Sequence, residues 1–265
     1  MQPLFVVGDV HGHRDVLVRL LRDAGLVDER ERWAGEDAVL WCVGDLVDRG
    51  PDGIGTIDLV RRLEAESGGR ARCLLGNHEA FLLSVVAVGE ADTGFPATTF
   101  TDAWLANGGV LRDLQALTAE HVAWLATRPA IAREGDWLLL HADTDAYLRY
   151  GRSVDDVNTG IASALGSGAP DALDELLEIL CDRLRLSDTA VVDTLLGLFG
   201  GSRVVHGHTP IASVLGRDPQ AITEPLFSPD GRVVNVDHCL FGGGPGFVTR
   251  LDEVAAFGVT PARTA

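Results

Sequence analysis

The sequence predicts an α/β protein with a parallel sheet, and three observations lead to this prediction. Short, continuous apolar runs, typical of strands buried on both faces, occur at residues 4–7, 39–43, 73–75 and 137–140. Helical patterns separate the first three runs, which gives the order β-α-β-α-β through His78. Each run is also followed at once by a motif of polar or glycine residues, as expected where strands end at the functional edge of a sheet.

The helical patterns account for the connections between these strands. Residues 12–24 carry apolar side chains at the spacing of one helix face. Residues 51–66 form a second helix, with proline in the first turn, where proline is favoured. Further helices are expected at about residues 78–88 and around Trp104 and Trp124. The first half of the chain is therefore predicted to alternate between strands and helices.

The second half contains a long segment between two of the motifs. Roughly residues 144–199 are rich in Leu, Asp and Ala and contain helical patterns such as residues 171–186. We expect one domain over residues 1–265, with this segment as a helical insertion beside the site, where it would select the substrate. Residues 225–231, with Ser-Pro-Asp-Gly in the turn, predict a hairpin.

Five motifs carry side chains that bind metal ions. They are Gly-Asp-Val-His-Gly at residues 8–12, Gly-Asp-Leu-Val-Asp-Arg-Gly at 44–50, Gly-Asn-His-Glu at 76–79, His-Ala at 141–142 and Gly-His-Thr at 207–209. The candidate ligands are Asp9, His11, Asp45, Asn77, His141 and His208. Because the motifs follow neighbouring strands, we expect their loops to converge. Carboxylate, amide and imidazole ligands without thiolates suit two divalent ions such as manganese, iron or zinc.

The ordered set of motifs resembles the calcineurin-like metallophosphoesterase superfamily. The resemblance is to its phosphoprotein phosphatase branch, which includes bacterial protein phosphatases and symmetrical dinucleoside tetraphosphate hydrolases, and it extends from residue 5 to about residue 237. It implies a β-sandwich flanked by helices on both sides, a four-layer α/β/β/α fold. The implied ligands are Asp9 and His11 for the first metal, Asp45 as the bridge, and Asn77, His141 and His208 for the second metal.

The same resemblance implies a mechanism. Two cations, most simply Mn²⁺ with iron or zinc as alternatives, would lie about 3.5 to 4 Å apart and share a hydroxide that attacks phosphorus in line. His78 would protonate the leaving group, with Asp48 holding it and favouring the imidazolium. Arg49 offers a planar fork that matches two phosphate oxygens and is the candidate phosphate clamp.

One departure bears on the substrate. Protein phosphatases of this branch usually carry an arginine immediately before Gly-Asn-His-Glu, whereas this chain has Leu75. The tetraphosphate hydrolases resemble this chain better there, but they typically have aspartate where this chain has Glu79. Trp-Leu-Ala-Asn-Gly-Gly at residues 104–109 resembles a stretch found in both kinds. A second phosphate-binding arginine is expected in the later part of the chain, and the candidates are Arg149, Arg152, Arg183 and Arg185.

Three functions follow from these observations. The first is a phosphomonoesterase of the protein phosphatase type, a hydrolase of class EC 3.1.3. The alternative is hydrolysis of a pyrophosphate bond in a dinucleoside polyphosphate or similar nucleotide, class EC 3.6.1. A catalytically silent binding module is the third, and it is disfavoured because such a module has no chemical need for every ligand together with Asp48, Arg49 and His78.

Several other residues invite a functional interpretation. His206 could reach a metal, but a hydrogen-bonded structural histidine is the commoner case. His13 and His121 are expected at the surface. His238 could approach the predicted site, but structural packing is the expected role. The glycine-rich residues 241–246 lack the order of a phosphate-binding loop and predict a tight connection.

The composition of the chain limits the classes of partner that the protein can bind. The formal net charge is -17 and the isoelectric point about 4.7, a field that disfavours nucleic acid and anionic membrane. A phosphorylated small molecule, a nucleotide or a phosphopeptide is easier to accommodate, and composition does not predict the oligomeric state. The four cysteines have no metal-binding spacing and are expected to be reduced. The first strand begins too early for a signal sequence, and these features predict a cytoplasmic protein.

Overall fold

The computed structural model describes residues 2–94 and 98–254, which form two β-sheets covered by helices. The strands are β1 (Leu4–Val7), β2 (Val39–Cys42), β3 (Ala71–Cys73), β4 (Ile131–Glu134), β5 (Trp137–Leu140), β6 (Arg203–His206), β7 (Leu226–Phe227), β8 (Val233–Asn235) and β9 (Val248–Arg250). The strands at 4–7 and 137–140 have the predicted bounds, and β7 and β8 form the predicted hairpin.

The two sheets share one plan. The first has the order β3-β2-β1-β9, in which β1, β2 and β3 are parallel and β9 runs antiparallel to β1. The second has the order β4-β5-β6-β8-β7, in which β5, β6 and β8 are parallel and both edge strands are antiparallel. Each sheet therefore contains three parallel strands, and five of these six strands, all except β8, carry the predicted motifs at their carboxyl ends.

The helices fill the connections between strands. They are α1 (Arg14–Asp23), α2 (Gly53–Glu66), α3 (Asn77–Val88), α4 (Phe100–Ala106), α5 (Leu111–Ala116), α6 (Ala119–Leu125), α7 (Val154–Ser167), α8 (Pro170–Cys181), α9 (Thr189–Phe199), α10 (Ile211–Leu215) and α11 (Leu251–Val254). Helix α1 buries Leu17, Leu20 and Leu21 on one face, as its apolar spacing predicts. The segment between β5 and β6 forms α7, α8 and α9.

The sheets pack face to face. Alternate residues of both sheets, including Val6, Trp41, Leu139, Val205 and Val234, belong to one buried cluster between the layers. The opposite faces join a larger cluster with the helices, including α1, α2, α7, α8 and α9. This arrangement is the predicted β-sandwich flanked by helices. Among the described residues, no helix has both the length and the apolar character needed to cross a bilayer.

Four local predictions were wrong. Strand β3 ends at Cys73, because the Leu75 amide donates to the Pro129 carbonyl outside the sheet. The proline at position 51 precedes the N-cap of α2, since the Asp52 side chain accepts from the Gly55 amide and the helix begins after it.

The helix expected over 171–186 ends at Cys181, because Asp182 is extended and Leu184 is left-handed with φ 68°. His121 is buried, with Nε2 3.0 Å from an Asp58 oxygen.

Candidate metal centre

The predicted ligands converge on one site between the carboxyl ends of the two sheets. Asp9 and His11 follow β1, Asp45 follows β2, Asn77 opens α3 after β3, His141 follows β5 and His208 follows β6. All six side chains are buried. The loops that carry them are strained, since His11, Asp45 and His208 have φ of 46°, 51° and 67°, in the left-handed region that such residues rarely adopt.

Asp45 lies between two groups of ligand atoms. Its Oδ2 lies 3.6 Å from His11 Nε2 and 4.0 Å from His78 Nε2. Its Oδ1 lies 3.4 Å from His141 Nε2, in a group that also contains His208. The two oxygens of one carboxylate therefore face different groups, which is the geometry of a ligand shared by two cations.

Hydrogen bonds to backbone carbonyls fix the tautomer of each ligand histidine. His11 Nδ1 donates to the Val47 carbonyl over 3.0 Å, and His141 Nδ1 donates to the Val43 carbonyl over 2.9 Å. His208 Nε2 lies 3.4 Å from the Cys181 carbonyl. Because a carbonyl needs a donor, each ring carries its proton on the outer nitrogen and turns an unprotonated nitrogen towards the centre.

The inward-facing atoms fit a cation. Asn77 Oδ1 lies 2.9 Å from His141 Nε2 and 2.9 Å from His208 Nδ1. With the tautomers above, these three atoms are all acceptors, and acceptors at this separation repel one another unless a positive charge lies among them. The donor set therefore matches a divalent ion that accepts nitrogen and oxygen ligands.

The electrostatics of the centre support the same conclusion. Burial raises the pKa of both Asp9 and Asp45 well above the ordinary value, and neighbouring carboxylates raise it further. Burial also lowers the pKa of His11 and His208 well below the ordinary value and lowers that of His141 to about 3. Neutral imidazoles beside crowded carboxylates are ready to bind a cation.

The ligand atoms near Asp45 form two groups, His11 with Asp45 and His78, and Asp45 with His141 and His208. Asp9 belongs to neither group, and its oxygens accept from the His208 amide over 3.0 and 3.1 Å. After burial, the charge of Asp237 is the largest cause of the raised pKa of Asp9. Asp237 is fully buried, and its Oδ2 has no hydrogen-bond partner among the described residues. Sequence analysis missed this acidic group, although its position directly after an apolar run was a signal of the same kind as the others.

Glu79 ties two ligand loops together. Its carboxylate accepts from the amides of Asp45, Leu46 and Val47 in one loop, over 2.8, 2.7 and 3.3 Å. It also accepts from the Gly76 amide in the next loop, over 2.9 Å. The sequence marked Glu79 only as a departure from relatives, and its support of the Asp45 loop emerges from the structure.

His78 and Asp48 form a buried pair beside the centre. His78 Nδ1 lies 2.8 Å from Asp48 Oδ2, and His78 Nε2 faces the Asp45 carboxylate. Burial raises the pKa of Asp48 to about 7, whereas burial, Arg49 and Arg183 lower the pKa of His78 well below the ordinary value. The expected preference for the imidazolium is therefore wrong for the metal-free centre.

Arg49 reaches over the first group of ligands. Its Nη1 lies 3.3 Å from His11 Nε2, and its guanidinium carbon lies 4.4 Å from the centre of the Phe241 ring. The side chain is otherwise exposed, so the fork is accessible from solvent.

Arg183 stands out among the later arginines. Its charge acts on His78, His141 and His208, and it forms no ion pair within the described ranges. Arg149 lies near Glu178, at 3.7 Å, and Arg185 bonds Asp145, at 3.2 Å.

A cavity of about 790 Å³ adjoins Asn77. It lies between α3, α4 and α8, and its wall includes Arg149, Arg183 and the acidic residues Asp174 and Glu178. Its volume exceeds that of a phosphate group, so it has room for the organic part of a phosphoester. His206 lies outside both ligand groups, and its Nδ1 donates to the Gly207 carbonyl over 2.9 Å. His238 is buried against Phe247.

Comparisons with known proteins agree with this geometry. The family model described as calcineurin-like phosphoesterase matches residues 3–242. The symmetrical bis(5'-nucleosyl)-tetraphosphatase of Dechloromonas aromatica is 32% identical over 140 residues, which cover 52% of this chain and 42% of that protein. Serine/threonine-protein phosphatase 1 of Salmonella typhimurium is 33% identical over 136 residues, which cover 51% of each chain. The matched part thus spans about half the length of these relatives.

A solved structure shows the same fold. The cold-active protein-tyrosine phosphatase of a psychrophilic Shewanella species superposes with a TM-score of 0.67 and 21% sequence identity, covering 94% of this chain and 74% of that chain. The two chains therefore share an overall fold.

Proposed function

We propose, because this chain belongs to the calcineurin-like phosphoesterase family, that it is a phosphoester hydrolase dependent on two divalent metal ions. The observation that carries the proposal is the division of the Asp45 carboxylate between two ligand groups. Asp9, His11 and Asp45 would hold the first ion, and Asp45, Asn77, His141 and His208 the second. Manganese is the proposed metal, with iron or zinc as alternatives, because the two groups combine carboxylate and imidazole without cysteine.

When bound, two such ions supply an activated water and neutralise charge on the phosphoryl group. The chain's own residues bind and orient the substrate. Arg49 offers two parallel donors to phosphate oxygens from the open side of the centre. Arg183, which faces the same ligands without an acidic partner among the described residues, is the proposed second phosphate contact.

His78 and Asp48 are proposed to protonate the leaving group as a unit. Because the pKa of Asp48 is raised to about 7, the pair retains an additional proton near neutral pH even though the pKa of His78 is lowered. When the Asp48 carboxyl holds that proton against Nδ1, the neutral His78 ring carries its N–H at Nε2, the nitrogen that faces the centre. Buried surroundings keep water away from the Nε2 proton, so it is available to the departing oxygen, and the Asp48 proton passes to Nδ1 as the Nε2 proton leaves.

The leading substrate class is a phosphomonoester, such as a phosphorylated serine or threonine, with hydrolysis of a dinucleoside polyphosphate as the alternative. Leu75, which is fully buried, supports the alternative, because the arginine common in protein phosphatases is absent. The relatives divide between the same two activities. The silent-module hypothesis is disfavoured, because every ligand position is filled and all six side chains are buried at the strand ends.

We further propose that the segment at residues 144–199 is a helical insertion in a single domain and that it selects the substrate. We propose a cytoplasmic location, supported by free thiols at Cys42, Cys73, Cys181 and Cys239. Substrates carrying phosphate, rather than nucleic acid or membrane, suit the net charge of -17.

A metal-loaded substrate panel tests the proposed function. Phosphopeptides, mononucleotides and dinucleoside tetraphosphates would be compared by kcat/KM, alongside elemental analysis of the same protein. Fastest turnover of a phosphopeptide or mononucleotide supports the leading proposal, and fastest turnover of the tetraphosphate supports the alternative. Metal-loaded protein that releases no phosphate from any of them would overturn both.

A further inference from the structure

The segment at residues 104–109, at the end of α4, packs against two adjacent site residues, Asp48 and Arg49. Trp104 Nε1 donates to Asp48 Oδ2 over 2.9 Å, the same oxygen that lies 2.8 Å from His78 Nδ1. Trp104 is fully buried. Because rotation of the Asp48 carboxylate would leave a buried N–H without a partner, the indole fixes the orientation of the carboxylate towards His78.

The next part of the segment contacts Arg49. The Arg49 amide donates to the Gly108 carbonyl over 2.9 Å, and Arg49 Nε lies 3.5 Å from the Asn107 carbonyl. Gly108 has φ +99°, and a Cβ there would lie 2.7 Å from Arg49 Cγ. A residue other than glycine is therefore disfavoured both by its backbone conformation and by the stem of the arginine.

Asp48 and Arg49 need this support because their backbone is strained. Their φ values are 66° and 62°, so two consecutive residues other than glycine are left-handed. Such conformations persist only where surrounding contacts hold them. The segment supplies contacts to both residues from one side.

We propose that residues 104–109 position the proton donor and the phosphate clamp together. Trp104 holds Asp48, and through it His78, while Gly108 allows Arg49 to lie flat against the segment. Both are positioning residues, since neither touches the reacting atoms. This inference rests on the proposed function. It assigns a task to the Trp-Leu-Ala-Asn-Gly-Gly stretch, which the ligand set leaves unexplained.

A purely structural Trp104 makes a different prediction. If the indole only fills the core, its loss lowers stability and affects every substrate alike. If it orients the proton donor, its loss matters most where the leaving group needs a proton. The dependence on the leaving group therefore separates the two roles.

The test compares Trp104→Phe with wild type on p-nitrophenyl phosphate and on an alkyl phosphate. The variant keeps an aromatic ring and loses the N–H. We expect kcat for the alkyl ester to fall about tenfold or more and kcat for the nitrophenyl ester to fall less than about twofold, because one hydrogen bond to a charged group is removed. Metal content should remain at the wild-type value.

Trp124→Phe is the matched control. Trp124 Nε1 donates to Glu64 over 2.6 Å, so it is also an indole bonded to a carboxylate, but on α6 and outside the centre. Its loss should leave the ratio of the two activities unchanged. Should Trp104→Phe fold poorly, Gly109→Ala replaces it, since a Cβ at that position lies 2.3 Å from the Trp104 ring and displaces the indole.

Gly108→Ala tests the second half of the proposal. We expect weaker stabilisation of the metal-loaded protein by inorganic phosphate in a thermal shift assay, and a higher KM for both esters to a similar extent. Equal losses of kcat on both esters in Trp104→Phe, or wild-type phosphate stabilisation in Gly108→Ala, overturn the inference. A wild-type protein that hydrolyses neither ester contradicts the proposed function instead.

Discussion

The loops at the strand ends and the helical segment between β5 and β6 differ in how they hold their charged groups. In the loops, side chains such as His11, Asp45 and Glu79 are buried and bonded to backbone groups. In the helical segment, Arg149 and Arg183 are exposed and lie at the wall of a cavity. The loops thus hold one fixed geometry, and the exposed arginines of the segment agree with its proposed role in meeting a varying substrate.

On the proposed function, the chemistry resides in the loops and substrate selection in the helical segment, so the two can be changed separately. A change in the loops should alter metal binding or the rate for every substrate. A change in the helical segment should alter the ranking of substrates while metal content stays the same. Single substitutions in the two regions test this contrast.

The largest effect is expected for Asp45→Asn. Because both oxygens of Asp45 face ligand groups, loss of the charge should lower the content of both metals and reduce kcat/KM by at least about 10³-fold. Elemental analysis and steady-state kinetics measure this. Fully metal-loaded wild-type protein containing at most one ion per chain would refute the shared ligand.

His78→Asn should lower kcat by about 10² to 10⁴-fold for an alkyl phosphate, the range for one positioned proton donor. Metal content should be nearly unchanged, and the loss should shrink for p-nitrophenyl phosphate, whose leaving group scarcely needs a proton. An equal loss on the two esters would show that His78 does not supply the proton.

Glu79→Gln should weaken metal binding by about 10 to 100-fold, the usual cost of losing a group that orients a ligand. The amide keeps the size of the side chain but cannot accept from all four backbone N–H groups. Calorimetric titration with Mn²⁺ measures the change. Unaltered affinity would mean that the Asp45 loop holds its shape without this carboxylate.

Arg183→Gln should raise KM about fivefold for substrates with a second phosphate and less for a simple monoester, as expected for one exposed contact. Arg152→Gln is the control, since Arg152 is also exposed but does not line the cavity. If both variants behaved alike, the helical segment would have no selective role through Arg183.

The smallest effect concerns pH. The pKa of both Asp48 and Glu79 is raised to about 7 in the folded metal-free chain, so between pH 6.5 and 8 these two carboxyls bind more protons in the folded state than in the unfolded state. Their contribution to the free energy of unfolding of metal-free protein should therefore fall as the pH rises, whereas the buried histidines, whose pKa is lowered, act in the opposite direction. The Tm of wild type minus the Tm of Glu79→Gln, measured after chelation, isolates the contribution of Glu79, and an increase of this difference with pH would contradict the sign.

The sequence predicted the residues of the metal centre better than the residues that hold them in position. Ligands such as Asp9 and His141 could be recognised because each follows an apolar run within a short motif. The role of Trp104 could not, because its partner Asp48 lies 56 residues away. Asp237 also follows an apolar run but lies outside the five motifs, and its neighbour Asp9 follows a strand of the other sheet. The end of α8 was also missed, since it depends on Asp143 accepting from the Leu184 amide across the fold.

The position of the centre between two sheets has a consequence for folding. The Asp9 carboxylate and the His208 amide that bonds it are 199 residues apart in the chain. A cation held by ligands of both sheets acts as a cross-link that closes a very long loop, and contacts of such separation form late. Bound metal should therefore slow unfolding far more than it speeds folding, so the ions would raise the kinetic stability of the contact between the two halves of the chain.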